Sequence, residues 1–155
     1  MLKSIEGNFD HQDVNDLLIK HFVELRAASP EGSTHVLDIQ GLKISSIKFW
    51  SFWKNEELLG CGALKFLDKN HGEFKSIRVH DNFRNKGNGI KVINHLIDEA
   101  KRLSIKRLSI ETGASDFFIP ARKLFKECNF HPCEPFAHYK EDINSLYLTK
   151  LISND

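Results

Sequence analysis

At 155 residues the chain has room for one domain with a substantial core, and not for two. Its 41% hydrophobic and 28% charged content is ordinary for a globular protein, and a net charge of +1 leaves no global footprint for nucleic acid or an anionic membrane. No apolar run approaches the roughly 20 residues that span a bilayer, and the polar start Met1-Leu2-Lys3-Ser4-Ile5-Glu6 carries no secretory leader. Three irregularly spaced cysteines (Cys61, Cys128, Cys133) make neither a disulfide framework nor a zinc site. The eight histidines are scattered with no helical His-x-x-x-His pair, so no metal is expected. A single cytoplasmic domain over residues 1–155, with free thiols, is the expectation.

Residues 2–8 can pair as a first strand. Asp10 is placed to cap a helix over 11–28, with Asp13 at its third position and Val14, Leu17, Leu18, Phe22 and Leu25 at helical spacing. Ser29-Pro30-Glu31-Gly32-Ser33 breaks it, and residues 34–46 read as irregular or briefly helical. Three strands follow as a meander: 47–54, 58–67 and 73–79, separated by Asn55-Glu56 and Asp68–Gly72. A helix after residue 89 presents Ile90, Ile93, Leu96, Ile97, Ala100 and Leu103, and residues 107–112 form a β-branched central strand. Ser115 or Asp116 can cap a helix over 117–128, in which Pro120 is tolerable because it falls in the first turn. Asn129 is a left-handed stop, and strands at 135–139 and 146–151 complete the chain. The resulting order, βα(α)βββαβαββ, is an α/β (α+β) arrangement: a mixed, mostly antiparallel sheet flanked by helices.

The most informative stretch is Arg84-Asn85-Lys86-Gly87-Asn88-Gly89, between a strand and an amphipathic helix. A helix N-terminus has unpaired N–H donors and a partial positive charge, and so attracts anions. Gly87 and Gly89 can take positive φ and admit a ligand to the backbone. Arg84 and Lys86 add formal charge. The loop is neither a Walker-type loop nor a Gly-x-Gly-x-x-Gly dinucleotide fingerprint.

Arg-x-x-Gly-x-Gly at this place, with the element order above from about residue 3 to 151, resembles the GNAT superfamily of acyl-CoA-dependent N-acyltransferases. The resemblance implies acetyl-CoA as cofactor, its pyrophosphate held by Arg84, Asn85, Lys86, Gly87, Asn88 and Gly89. It implies that the strands at 73–79 and 107–112, the latter ending at Thr112, splay to form a wedge. The backbone of Ile77, Arg78 and Val79 would pair with the pantetheine arm as an added strand edge, with Val79 N–H facing the developing oxyanion. Arg122 would reach the distal phosphate, or simply lie on a solvated helix face.

An alkyl amine near pKa ~10 must lose a proton before it can attack a thioester. Glu73, 14 residues before Gly87, matches the spacing of the general base in the histone-acetylating branch of the family. Many members carry a Tyr in Ala-x-x-Leu-Tyr-x-x-x-Gly-Phe that protonates the departing thiolate. This chain has Ala121-Arg122-Lys123-Leu124-Phe125-Lys126-Glu127-Cys128-Asn129-Phe130, so Phe125 and Asn129 depart from the pattern, as does Phe118 where many members have Asn. Either Tyr139 donates instead, or the thiolate leaves unaided at a cost of about 2 kcal/mol.

Acceptor contacts are expected from residues 30–46 and 131–142, with His35, Asp38 and His138 as polar candidates. Cys128 lacks a sequence partner to act as a nucleophile, and the run Phe49-Trp50-Phe52-Trp53 lacks interleaved cations, so it reads as core and not as a nucleic-acid platform. The expected activity is direct transfer of acetyl from acetyl-CoA to a primary amine of a small molecule or peptide. The alternative is a non-catalytic CoA-binding sensor or interaction module of the same fold. The oligomeric state stays open, a homodimer included.

Overall fold

A computed structural model describes residues 2–30 and 38–152. Strand β1 (Lys3–Glu6) leads to helix α1 (Gln12–Ala28) and the single turn α2 (Ile39–Leu42). Strands β2 (Ile47–Lys54), β3 (Glu57–Phe66) and β4 (His71–Val79) form the meander. Helix α3 (Asn88–Arg102), strand β5 (Arg107–Gly113) and helix α4 (Ile119–Glu127) follow, then the two-residue strand β6 (His131–Pro132) and β7 (Ser145–Leu151). The seven strands lie in the order β1-β2-β3-β4-β5-β7-β6, antiparallel except for β4 against β5.

Local chemistry explains the turns. Asn55 and Glu56 both take positive φ (50° and 70°), the conformation of a two-residue hairpin whose twist matches its strands. The Asp68 carboxylate accepts from the N–H groups of Asn70 (2.7 Å) and His71 (2.8 Å) and so turns β3 into β4. Asn129, at φ 68°, stops α4.

The sheet is covered on both faces. Val14, Leu17, Leu18 and Phe22 of α1 pack with Phe49, Trp53 and Ala63 on one face. Val92, Ile93, Leu96 and Ala100 of α3 pack with Trp50, Phe52, Leu64 and Phe74 on the other, joined by Phe125 and Phe130. The β2 aromatics therefore divide between two cores, which is why that strand reads as continuously apolar.

Four expectations are corrected. The cap of α1 is His11, whose ring accepts from Asp13 N–H, and not Asp10. The buried stripe of α3 starts with Val92, while Ile90 is 37% exposed, because the helix begins at Asn88 and its inner face is phased to Val92, Ile93, Leu96 and Ile97. A short 3₁₀ turn at Asp116–Phe118 replaces the first turn expected for α4, and Ser115 makes no side-chain cap bond to that turn. Residues 135–139 form no strand: Pro135 lacks an N–H and Ala137 sits at φ 53°, so the segment arches over the sheet and β6 pairs with β7 in its place.

Gly60 lies where β3 presses on β4. A Cβ there would sit 2.4 Å from the Arg78 carbonyl oxygen and 3.3 Å from Val79 Cα, both main chain. Gly60→Ala is therefore expected to cost about 1–3 kcal/mol through displacement of β4, read as a lower denaturation midpoint.

Candidate active site

Strands β4 and β5 pair only at His71↔Arg107, Gly72↔Leu108 and Glu73↔Ser109. Ser76 then takes φ 55° and the β3–β4 register slips between Cys61 and Ala63, which turns β4 away from β5. The opening is a cleft lined by residues 73–77 of β4 and 110–113 of β5, by His21 and Leu25 of α1 and Ser29 just after it, and by Ala121 and Phe125 of α4.

Glu73 lies at the fork and is 1% exposed. Its Oε2 accepts the Tyr139 hydroxyl at 2.6 Å and the Lys75 ammonium at 3.3 Å, and Lys75 also donates to the Tyr139 oxygen at 3.1 Å. Its Oε1 is buried with no hydrogen-bond partner. The lone pairs of Oε1 are therefore open toward the cleft side of the carboxylate among the described residues. Burial, then the Glu73 charge and hydrogen bond, hold the Tyr139 phenol far above its ordinary pKa. Tyr139 thus directs its proton at Glu73. Phe125 is buried edge-on against Phe130, ring centroids 5.5 Å apart, and offers no donor.

The glycine loop enters α3 through Asn85 (φ 61°) and Gly87 (φ 79°). Gly87 is the N-cap and supplies no side-chain bond, so the first-turn amides keep their donors. Asn88 is buried and its Nδ2 donates to Phe83 O (2.9 Å), tying the loop to the helix start. A Cβ at Gly89 would meet Leu124 at 2.7 Å, so that glycine serves α3–α4 contact. Arg84 is exposed and pairs with Asp81 at 3.3 Å, while Lys86 reaches Asn82 O at 3.4 Å.

Other sequence candidates have different surroundings. The Arg78 side chain is buried on the α1 face, bound to Glu24 (3.0 Å) and Asp81 (3.0 Å), so only its main chain is available to a ligand. Arg122 Nη1 donates to the carbonyls of Gly113 (2.8 Å) and Ser115 (3.0 Å), bracing the end of β5. Thr112 and Ile77 line the cleft, and Val79 packs against the α3 core. Asp38 caps α2 through Gly41 N–H, and His138 is exposed, stacked on Tyr139 with centroids 4.7 Å apart. His35 lies outside the described residues. Among the described residues no group of His, Cys, Asp or Glu could hold a metal ion, and no helix is long and apolar enough to cross a membrane.

Two cleft residues escaped the sequence reading. His21 occupies a stripe position of α1 between Leu18 and Leu25, a polar group where an apolar one is due, and it is 6% exposed with Nδ1 unpartnered. Lys75 shares the Glu73 face of β4 by strand alternation.

A mixed sheet that forks beside a glycine-capped helix sets a cleft next to a row of open amides. Residues 13–130 match the Acetyltransferase (GNAT) family. The chain is 45% identical to the uncharacterised N-acetyltransferase YsnE of Bacillus subtilis over 90% of this chain and 92% of that protein. It is 38% identical to the uncharacterised N-acetyltransferase YedL of Escherichia coli over 90% and 87%. The structure of a protein from Klebsiella pneumoniae described as a putative acyl-CoA N-acyltransferase superposes with a TM-score of 0.76 at 21% identity, covering 97% of both chains. A Bacillus subtilis acetyltransferase solved with CoA gives 0.71 at 22% identity, over 99% of this chain and 100% of that one. This chain belongs to the GNAT acetyltransferase family.

Proposed function

We propose that the chain is an N-acetyltransferase that moves the acetyl group of acetyl-CoA directly onto a primary amine of a small molecule or peptide. The observation that carries this is the unpartnered, buried Oε1 of Glu73 at the fork of β4 and β5. Family membership and the CoA and acetyl-CoA complexes of structural neighbours support the donor. The uncapped first-turn amides at Gly87 fit a pyrophosphate, with Arg84 and Lys86 beside it.

In this mechanism the thioester tail lies along Ile77 to Val79 and the amine comes from the α1 side. Glu73 takes a proton from the attacking amine, directly or through one water. An amine arriving neutral would bond to the acetyl carbon and give one N–H proton to Glu73, and the C–S bond would break with its electrons on sulfur, which leaves as a thiolate and takes its proton from solvent. Val79 N–H is the proposed donor to the developing oxyanion. The whole chain, residues 1–155, acts as one domain, whether or not it pairs as a homodimer. Its free thiols, two of them buried, support a cytoplasmic setting.

The test is release of free CoA thiol from acetyl-CoA with a panel of primary amines. Amine-dependent release is expected. Tight CoA binding with no amine-dependent release would overturn catalysis and favour the sensor module.

Gly87 gives a separate check on the loop. A Cβ there would meet nothing within 4 Å, so a side chain acts only through the positive φ. Gly87→Val is expected to raise KM for acetyl-CoA roughly tenfold, the equivalent of about 1–2 kcal/mol of left-handed strain, with kcat held. An unchanged KM would remove Gly87 from the cofactor site.

A further inference from the structure

We infer that Tyr139 is a positioning residue for the base: with Lys75 it closes Oε2 of Glu73, so that a proton from the acceptor amine arrives at Oε1. The inference rests on Glu73 being the base. Of the two sequence expectations it keeps unaided departure of the thiolate and sets aside Tyr139 as the thiolate's proton donor.

Each carboxylate oxygen offers two in-plane lone pairs. Oε2 receives two donors, the Tyr139 hydroxyl and the Lys75 ammonium, whereas Oε1 receives none. Lys75 bonds both Glu73 Oε2 and the Tyr139 oxygen, closing a three-membered ring of contacts that fixes the carboxylate plane. The phenol ring is itself held edge-on by Phe136 (5.1 Å) and tilted against Tyr147 (5.7 Å), so its hydroxyl cannot swing freely. Among the described residues, the charged or titratable groups facing Tyr139 include Glu73 and Lys75 from β4, Glu111 from β5, Tyr147 from β7 and His138 from its own segment. Burial and the surrounding negative charge keep the phenol protonated, and so a donor, across the working pH range. To reach a thiolate it would have to abandon Glu73 and leave a buried carboxylate with one fewer donor. The arch from Pro135 to Tyr139, bent at Ala137, brings this hydroxyl to Glu73.

The experiment is a double-mutant cycle on Glu73→Gln and Tyr139→Phe, with acetyl-CoA and the fastest primary amine of the panel. Tyr139→Phe is expected to lower kcat roughly tenfold or more while KM for acetyl-CoA stays put. Combined with Glu73→Gln it should add nothing further, because a positioning group has no work once the base is gone. Lys75→Met should show the same non-additivity, which covers the case in which Tyr139→Phe unsettles the arch. A spectroscopic arm uses a Tyr147→Phe background, where Tyr139 is the remaining tyrosine. There the phenol absorption band of the folded protein should shift on Glu73→Gln, because the hydroxyl then donates to a neutral oxygen in place of a charged one. Losses that multiply in the double variant, or an absorption band that Glu73→Gln leaves in place, overturn the positioning role alone. A harmless Glu73→Gln overturns the base assignment, and this inference with it.

Discussion

Glu73→Gln is expected to lower kcat for acetyl transfer by roughly 10²- to 10⁴-fold, the range of a positioned general base, with KM for acetyl-CoA nearly unchanged. Gln keeps the shape of Glu and an oxygen to accept the Tyr139 hydroxyl, so the contact that anchors the arch survives. What it loses is the lone-pair basicity of Oε1, which no protein group satisfies. Lys75 also loses its charged partner in a buried place, at a cost of about 1–3 kcal/mol of stability. That loss shows in the denaturation midpoint and not in kcat per folded molecule. A variant that turns over at the wild-type rate would sink the assignment.

The strand–turn–helix around Arg84–Gly89 was legible because turn chemistry is local, although of the two glycines offered for positive φ only Gly87 takes it, Asn85 supplying the second left-handed position in place of Gly89. The element order was legible for a related reason. Apolar runs of strand length in β2 to β5 and the 3.6-residue stripe of α1 are bounded by turn residues. Glu73 could be singled out because its distance from Gly87 runs along one strand and one turn. Its partners could not, since they depend on long-range folding. Tyr139 lies 66 residues away and reaches Glu73 only because Pro135 and Ala137 bend the chain. Arg78 and Arg122 show the same limit from the other side. Two cations that look available in sequence are already engaged, one by Glu24 and Asp81 and the other by the carbonyls at the end of β5. A charge in a motif says nothing about who has taken it.

His21 carries the second large expected effect, on stability. Its pKa is lowered from 6.5 to about 4, first by burial, then by the Arg78 guanidinium, with Glu24 opposing and Arg84 adding a little. The folded protein holds this ring neutral, whereas the unfolded chain protonates it below its ordinary value. Between pH 6.5 and about 4 the unfolded state therefore binds more protons, and stability must fall as pH falls. Below about pH 4 both states are protonated and the loss stops growing. The difference corresponds to about 3 kcal/mol, a large share of a small domain's stability. His71, lowered mainly by partial burial, acts in the same direction but more weakly. Glu24 and Asp81 are held below their usual carboxylate range chiefly by Arg78 and Lys20, so their contributions fade only at lower pH. His21→Leu should remove most of the slope in this window while leaving the acid limb below it. Urea midpoints at pH 7, 5.5 and 4 decide the matter: wild type should fall steeply and the variant much less. Parallel curves would mean that His21 is solvated on the α1 wall of the cleft, and not the neutral, unpartnered ring described above.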